Sequence, residues 1–282
     1  MPRRRFGIST HLVHGQRLQR EHLLEIAAHG FTDVELFATR THIDYHAPAA
    51  VADLQGWLAQ AGLHLHSVHA PVADSYFSGR WGVPWSLASA NARARDAALV
   101  EAEAALHLAR RIPFEVLVVH LGLPKSLNPQ PGDNNRDQGR RSLEELQTLA
   151  TPLGVTVAAE IIQNDISRPA SLAHMLEAQI EVDGAGICLD VGHAHLMPGG
   201  VVDAIETASG YLTTVHLHDN RGRHDDHLLP FDGTIEWAGA LTALQKVGYD
   251  GPFILEVGPH GSVRDTLQKA RKVRERLEKL LE

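Results

Sequence analysis

Residues 155–160 read VTVAAE, 186–190 read GICLD and 213–218 read TTVHLH: three short runs of apolar and β-branched residues, each carrying at or near its carboxyl end a side chain that can hold a metal ion. Three more runs follow the same plan, namely LHLHSVH at 63–69, EVLVVH at 115–120 and PFILEV at 252–257. The side chains so placed are His69, His120, Glu160, Asp190, His216 and Glu256. Each run leads through a loop into a helical stretch. Parallel strands buried on both faces read as continuous apolar runs, and their carboxyl ends lie on one side of the sheet. Six ligand-type side chains at six equivalent strand ends therefore converge on one place.

Two further strand-like runs, FGIST at 6–10 and DVELF at 33–37, complete a strict alternation of eight strands with eight helical stretches. Such alternation implies parallel strands with right-handed crossovers. Eight units in 282 residues match a closed (β/α)8 TIM barrel, an α/β fold that typically takes about 250 residues. Gly30, Gly62, Gly154 and Gly248 each follow a helical run and read as helix stops. An open doubly wound sheet would carry a G-x-G-x-x-G turn after an early strand, and FGISTHLVHGQ supplies none. No composition shift or linker divides the chain, so residues 1–282 read as a single domain.

Bulk composition narrows the chemistry. The net charge is −8 with neutral histidines, which offers no broad basic field to a nucleic-acid backbone, and a nucleic-acid partner is not expected. Nineteen histidines against four tyrosines are a strong skew toward the commonest metal-ligand side chain. The single cysteine, Cys188, rules out an internal disulfide and sits mid-strand as a small buried side chain. No run approaches the ~18 apolar residues of a membrane span, and MPRRRF is not backed by the apolar stretch of a secretory signal. A cytoplasmic protein without a membrane partner is expected; the sequence is compatible with a homo-oligomer.

Among the strand-end residues, Glu160, Asp190, His216 and Glu256 come from the last four strands. Three carboxylates with one imidazole suit Mn²⁺, Zn²⁺, Co²⁺ or Mg²⁺ rather than a soft-metal thiolate site. His193 follows Asp190 by three residues, where a turn brings it over the barrel mouth. Asp225 and His227 lie two apart, a spacing that lets both point the same way from an extended segment. His195, His218, His224 and Asp226 are competing neighbours, and strand periodicity alone does not separate His218 from His216. The loop at 70–88 carries Tyr76, Phe77, Trp81 and Trp85, and Arg221 and Arg223 lie on the loop at 219–234.

The segments GFTDVELF, VVHLG, VTVAAE, LDVGHAH, VHLHDN, HDDHLLPFDGTIEW and ILEV together resemble the xylose isomerase-like TIM-barrel superfamily, which includes sugar isomerases, ketose 3-epimerases and endonuclease IV (AP endonuclease family 2). The similarity runs over nearly the whole chain. In the isomerases and epimerases four ligands hold one divalent ion, and the resemblance puts them at Glu160, Asp190, His216 and Glu256. In endonuclease IV nine ligands hold three zinc ions, which adds His69, His120, His193, Asp225 and His227. Two departures stand out. The lysine of xylose-type isomerases two residues past the first glutamate is Ile162 here. The arginine of ketose epimerases six residues past the metal histidine is Gly222, and Arg221 and Arg223 flank it.

The resemblance implies a metal-dependent enzyme with one to three divalent ions per chain. The preferred expectation is an isomerase or epimerase of a small sugar or sugar phosphate. Glu160 and Glu256 would move the proton through a metal-stabilised enediolate, His193, Arg221 and Arg223 would bind substrate, and Trp81 would cover it. The alternative is an endonuclease IV-like di- or trinuclear zinc phosphoester hydrolase acting on a small phosphodiester or on abasic DNA.

Overall fold

The computed structural model describes residues 4–180, 182–259 and 261–282. Eight strands form a closed barrel: β1 (Phe6–Ser9), β2 (Asp33–Phe37), β3 (His64–His69), β4 (Val116–Val119), β5 (Thr156–Glu160), β6 (Gly186–Asp190), β7 (Leu212–Leu217) and β8 (Phe253–Leu255). All are parallel, each pairs with its sequence neighbours, and β1 closes the ring against β8. The helices that return the chain are α1 (Arg20–Ala28), α2 (Pro48–Ala61), α3 (Ala92–Leu106), α4 (Arg136–Ala150), α5 (Pro169–Ala178), α6 (Val191–His195), α7 (Gly200–Ala208), α8 (Trp237–Lys246) and α9 (Val263–Leu281). The (β/α)8 barrel expected from the alternation is the fold. Among the described residues, no helix is long and apolar enough to cross a membrane.

Helix boundaries depart from the expected ones where a polar side chain competes for the backbone. The alanine-rich helix begins at Ala92 rather than near Leu87, because the Asn91 side chain accepts from the Ala94 N–H at 3.1 Å and caps it. The next helix starts at Arg136, earlier than expected, with Asn135 accepting from Gln138 in the same way. The short helix α6 was not apparent in LDVGHAH; the Asp190 side chain caps it by accepting from the His193 N–H at 2.6 Å. All four glycines read as helix stops have positive φ, which an L-residue adopts only with strain. The loop at 70–88 contains a small antiparallel hairpin, Tyr76–Phe77 with Arg80–Trp81, turning at Ser78 and Gly79.

The main apolar core lies between the strands and the helices, and a separate small cluster comprises Val116, Val118, Ala158 and Cys188. A barrel interior is ordinarily filled with branched apolar side chains. Here Glu35, His66, Ser67, Thr214 and His216, all strand residues, are buried as well. Between β2 and β3 the pairing slips at His66, so that Val34 faces Leu65 and Glu35 faces Ser67. A bulge of this kind re-aims side chains at the cost of local pairing.

The loop after β7 is organised by one buried carboxylate. Asp219 accepts from the backbone N–H groups of Asn220 (2.9 Å), Phe231 (3.0 Å) and Ile235 (3.2 Å) and from the Trp237 indole (2.8 Å). Its own backbone exchanges two hydrogen bonds with Leu228. One side chain thus folds back the segment that carries Asp225 and His227. Replacing it strands several donors in a site without solvent. Asp219→Ala is expected to lower the urea midpoint of unfolding, by about 3 kcal/mol of stability with the m-value unchanged.

Candidate metal centre

β5 to β8 each deliver one side chain to a common point at the carboxyl end of the barrel. Glu160 and Asp190 are the last residues of β5 and β6, His216 lies near the end of β7, and Glu256 follows β8. One ligand atom from each of the four lies within 4.8 Å of the others. The His216 Nδ1 atom is 3.1 Å from Glu160 Oε1, 3.5 Å from Glu256 Oε2 and 3.9 Å from Asp190 Oδ2. All four side chains are buried. Three carboxylates brought out of water around one imidazole carry more negative charge than that imidazole can balance, and a divalent cation relieves the excess. The hard-oxygen and imidazole donors fit such an ion.

Two further groups flank these four. His69 and His120, from the ends of β3 and β4, reach the other oxygen of Glu160, Oε2, at 2.9 and 2.8 Å. Glu160 therefore spans two groups, one oxygen on each side. On the opposite flank, Asp225 Oδ2 is 3.0 Å from His193 Nε2 and 3.2 Å from His227 Nε2. His193 is held by a second contact, Nδ1 to the Ile161 carbonyl at 3.0 Å. The nine ligand positions implied by the resemblance thus all meet at the barrel mouth.

His218 joins His193, Asp225 and His227 as a fourth member of their group. Its Nε2 lies 2.9 Å from Asp190 Oδ1, and its ring stacks on His227 with centroids 4.2 Å apart. Spacing alone could not pick it out from His195 and His224; the signal was its place on the same strand face as His216. Glu35 was also passed over. Its strand, DVELF, carries two carboxylates, Asp33 and Glu35, two residues apart on one face among apolar neighbours, and that was the available sign.

The mouth opens into a cavity of about 1080 Å³. His14, Tyr76 and Trp81 line one wall, where the Trp81 and His14 rings stack within 5° of parallel. Lys125, Arg168 and Arg223 also line the cavity. Arg221 does not: Gly222, with φ +73°, turns the chain between the two arginines, and Arg221 is left exposed outside the lining. A side chain at position 222 would be strained at this φ.

Electrostatics across the site favour ionised pairs. Burial pushes the Glu160 carboxyl up, but His120 and His216 overcome it and hold it well below the usual carboxylate range. Burial pushes His69 down, and its bond to Glu160 reverses this, raising it to about 9. His227 is carried to about 10, with Asp225 outweighing burial. Burial keeps His120 below its ordinary value despite Glu160. Cys188 is buried and its thiol is pushed well up, chiefly by desolvation, so it stays protonated.

The sequence profile of the family described as xylose isomerase-like TIM barrel matches residues 23–280. An uncharacterised protein of Methanocaldococcus jannaschii is 27% identical over 280 residues, covering 97% of this chain and 89% of the relative. A D-psicose 3-epimerase of Enterocloster bolteae is 28% identical over 146 residues, 48% of this chain and 45% of that protein. Among solved structures, a D-tagatose 3-epimerase-like protein superposes with a TM-score of 0.80 at 24% identity over 98% of both chains.

A metal ion binds deprotonated ligands, so protons on His69 and His227 compete with it at neutral pH. With these groups at about 9 and about 10 in the metal-free protein, occupation of the flanking groups must release protons. Adding Zn²⁺ to the stripped protein at pH 7 in weak buffer is expected to acidify the solution, and apparent affinity to rise with pH until those histidines are neutral. Indicator-dye titration measures both; uptake without proton release would remove His69 and His227 from the ligand set.

Proposed function

Because the chain belongs to the xylose isomerase-like TIM-barrel family, we propose that it is a divalent-metal-dependent isomerase or epimerase of a sugar or sugar phosphate. The observation that carries this reading is the buried Glu160–Asp190–His216–Glu256 set, of which Glu256 lines the cavity. The likeness to a D-psicose 3-epimerase over part of the chain supports it. So does the shared architecture of the D-tagatose 3-epimerase-like protein, at the level of fold.

Glu160, Asp190, His216 and Glu256 would hold the ion. When bound there, it supplies positive charge beside the oxygen that becomes anionic as a neighbouring carbon loses its proton. The remaining work falls to the side chains. Glu160 and Glu256 come from β5 and β8, three positions apart around the barrel, and so approach a substrate between them from different directions. One removes the proton from the carbon next to the carbonyl, and the other returns a proton, to the opposite face in an epimerase. His193 would donate to a substrate hydroxyl. Trp81 and Tyr76 on the hairpin would cover the apolar face of the sugar and exclude water, with Arg223 at the rim.

A second reading rests on the two flanking groups, His69–His120–Glu160 and His193–His218–Asp225–His227. An isomerase with one working ion does not need them, whereas a two- or three-ion phosphoester hydrolase does. Glu160, with one oxygen toward each of two groups, is suited to bridging two ions.

Two experiments discriminate. With a ketose or aldose panel in D₂O, the preferred reading expects solvent deuterium to enter the sugar at the reacting carbon during turnover. Hydrolysis of an aryl phosphodiester by the zinc-loaded protein, with no deuterium entering any sugar, would reverse the choice. Glu160→Gln and Glu256→Gln are expected to lower kcat by about 10²-fold or more, the usual scale for losing a positioned base. His120→Ala is expected to retain most isomerase activity, and a comparably large loss would favour the multinuclear reading.

A further inference from the structure

The His216 ring is gripped at both nitrogens. Nδ1 faces the three carboxylates described above, and Nε2 lies 2.9 Å from Glu35 Oε2. Glu35 stands on β2, three positions around the barrel from β7, and belongs to none of the ligand groups. The Ser67 hydroxyl donates to the same Oε2 at 2.8 Å. Glu35 is wholly buried, and its second oxygen, Oε1, has no hydrogen-bond partner among the described residues.

A buried carboxylate with one bare oxygen is a poor choice for packing. An apolar side chain of similar size would fill a barrel interior at lower desolvation cost. What the carboxylate provides is direction. An ionised carboxylate only accepts hydrogen bonds, so His216 must carry a proton on Nε2 and donate it to Glu35. Whenever Nδ1, 3.1 Å from Glu160 Oε1, carries no proton of its own, the neutral imidazole has its lone pair there, on the atom aimed into the space shared by Glu160, Asp190 and Glu256. The Ser67 hydroxyl fixes the carboxylate, the carboxylate fixes the ring, and the ring presents one nitrogen. Metal-ligating histidines commonly depend on such a partner for tautomer, orientation and basicity.

We propose that Glu35, held by Ser67, is a positioning residue that sets the tautomer and orientation in which His216 ligates a divalent ion through Nδ1. This inference rests on the metal-dependent reading above, and goes beyond it in assigning the outer contact that makes one ligand competent.

The test compares the wild type, Glu35→Gln and Ser67→Ala, each stripped of metal and titrated with Co²⁺ against a competing chelator while the visible absorption of the bound ion is recorded. Glu35→Gln is expected to weaken Co²⁺ binding by about tenfold or more, the usual effect of removing such a partner, and to change the Co²⁺ spectrum. Ser67→Ala is expected to weaken binding less, in the same direction. A purely structural role would lower the melting temperature of the stripped protein and leave affinity and spectrum per folded molecule as in the wild type; that result overturns the proposal. Should Glu35→Gln not fold, Ser67→Ala decides it alone: weakened binding supports the proposal, and wild-type binding with a wild-type spectrum overturns it. A wild type that binds no Co²⁺ sinks the metal-dependent reading itself, which separates that failure from this one.

Discussion

Glu160, Asp190 and Glu256 bring three carboxylates to one imidazole nitrogen in a place with almost no access to water. Like charges at such separation repel strongly where the surroundings polarise weakly, so the arrangement persists only with positive charge nearby. Much of the molecule around the barrel mouth answers that demand. His69 and His120 share one oxygen of Glu160, His218 reaches Asp190, and His193 and His227 converge on Asp225. The histidine-rich composition reflects this ring of imidazoles. The mutual attraction drives His69 and His227 upward and holds Glu160 and Asp225 downward, against the effect of burial on each.

The barrel supplies the geometry that makes such crowding possible. In a closed parallel sheet, every strand presents its last residues to the same rim, and no strand edge is left over. The polar content then extends inward, to Glu35, Ser67, His66 and Thr214, where apolar layers are the norm. His66 meets the Thr214 hydroxyl at 3.3 Å deep in the barrel, and the slip in pairing at that histidine is what lets Glu35 and Ser67 face each other. Packing uniformity inside the barrel is given up for orientation at its mouth.

The loops decide what reaches the mouth. The hairpin at 76–81 leaves Phe77 77% exposed while placing Trp81 over His14, so it presents an apolar edge beside the cavity. Gly222 takes a left-handed conformation that strains most side chains, and Arg223, one residue later, lines the cavity. Ile162, where xylose-type isomerases carry a lysine, is buried rather than exposed to the cavity.

The eight strands, their order and the residues at their ends were legible in the sequence, because burial on both faces writes a strand as an unbroken apolar run and any polar residue that ends it is conspicuous. The same local rule hid Glu35 inside DVELF and could not rank His218 above His195 or His224, since one strand seen by itself carries no record of what stands across the barrel. Helix α6 and the start of α4 were misjudged because single side-chain caps, Asp190 and Asn135, decide them. Arg221 and Arg223 looked equivalent until the turn at Gly222 separated them. Periodicity along one segment reports which side of that segment is buried. Which atoms meet there depends on closure of the ring, which brings side chains of β2 to β7 and of β3 to β5 across the barrel through contacts between residues as far apart in sequence as Glu35 and His216, and only the tertiary structure sets those distances.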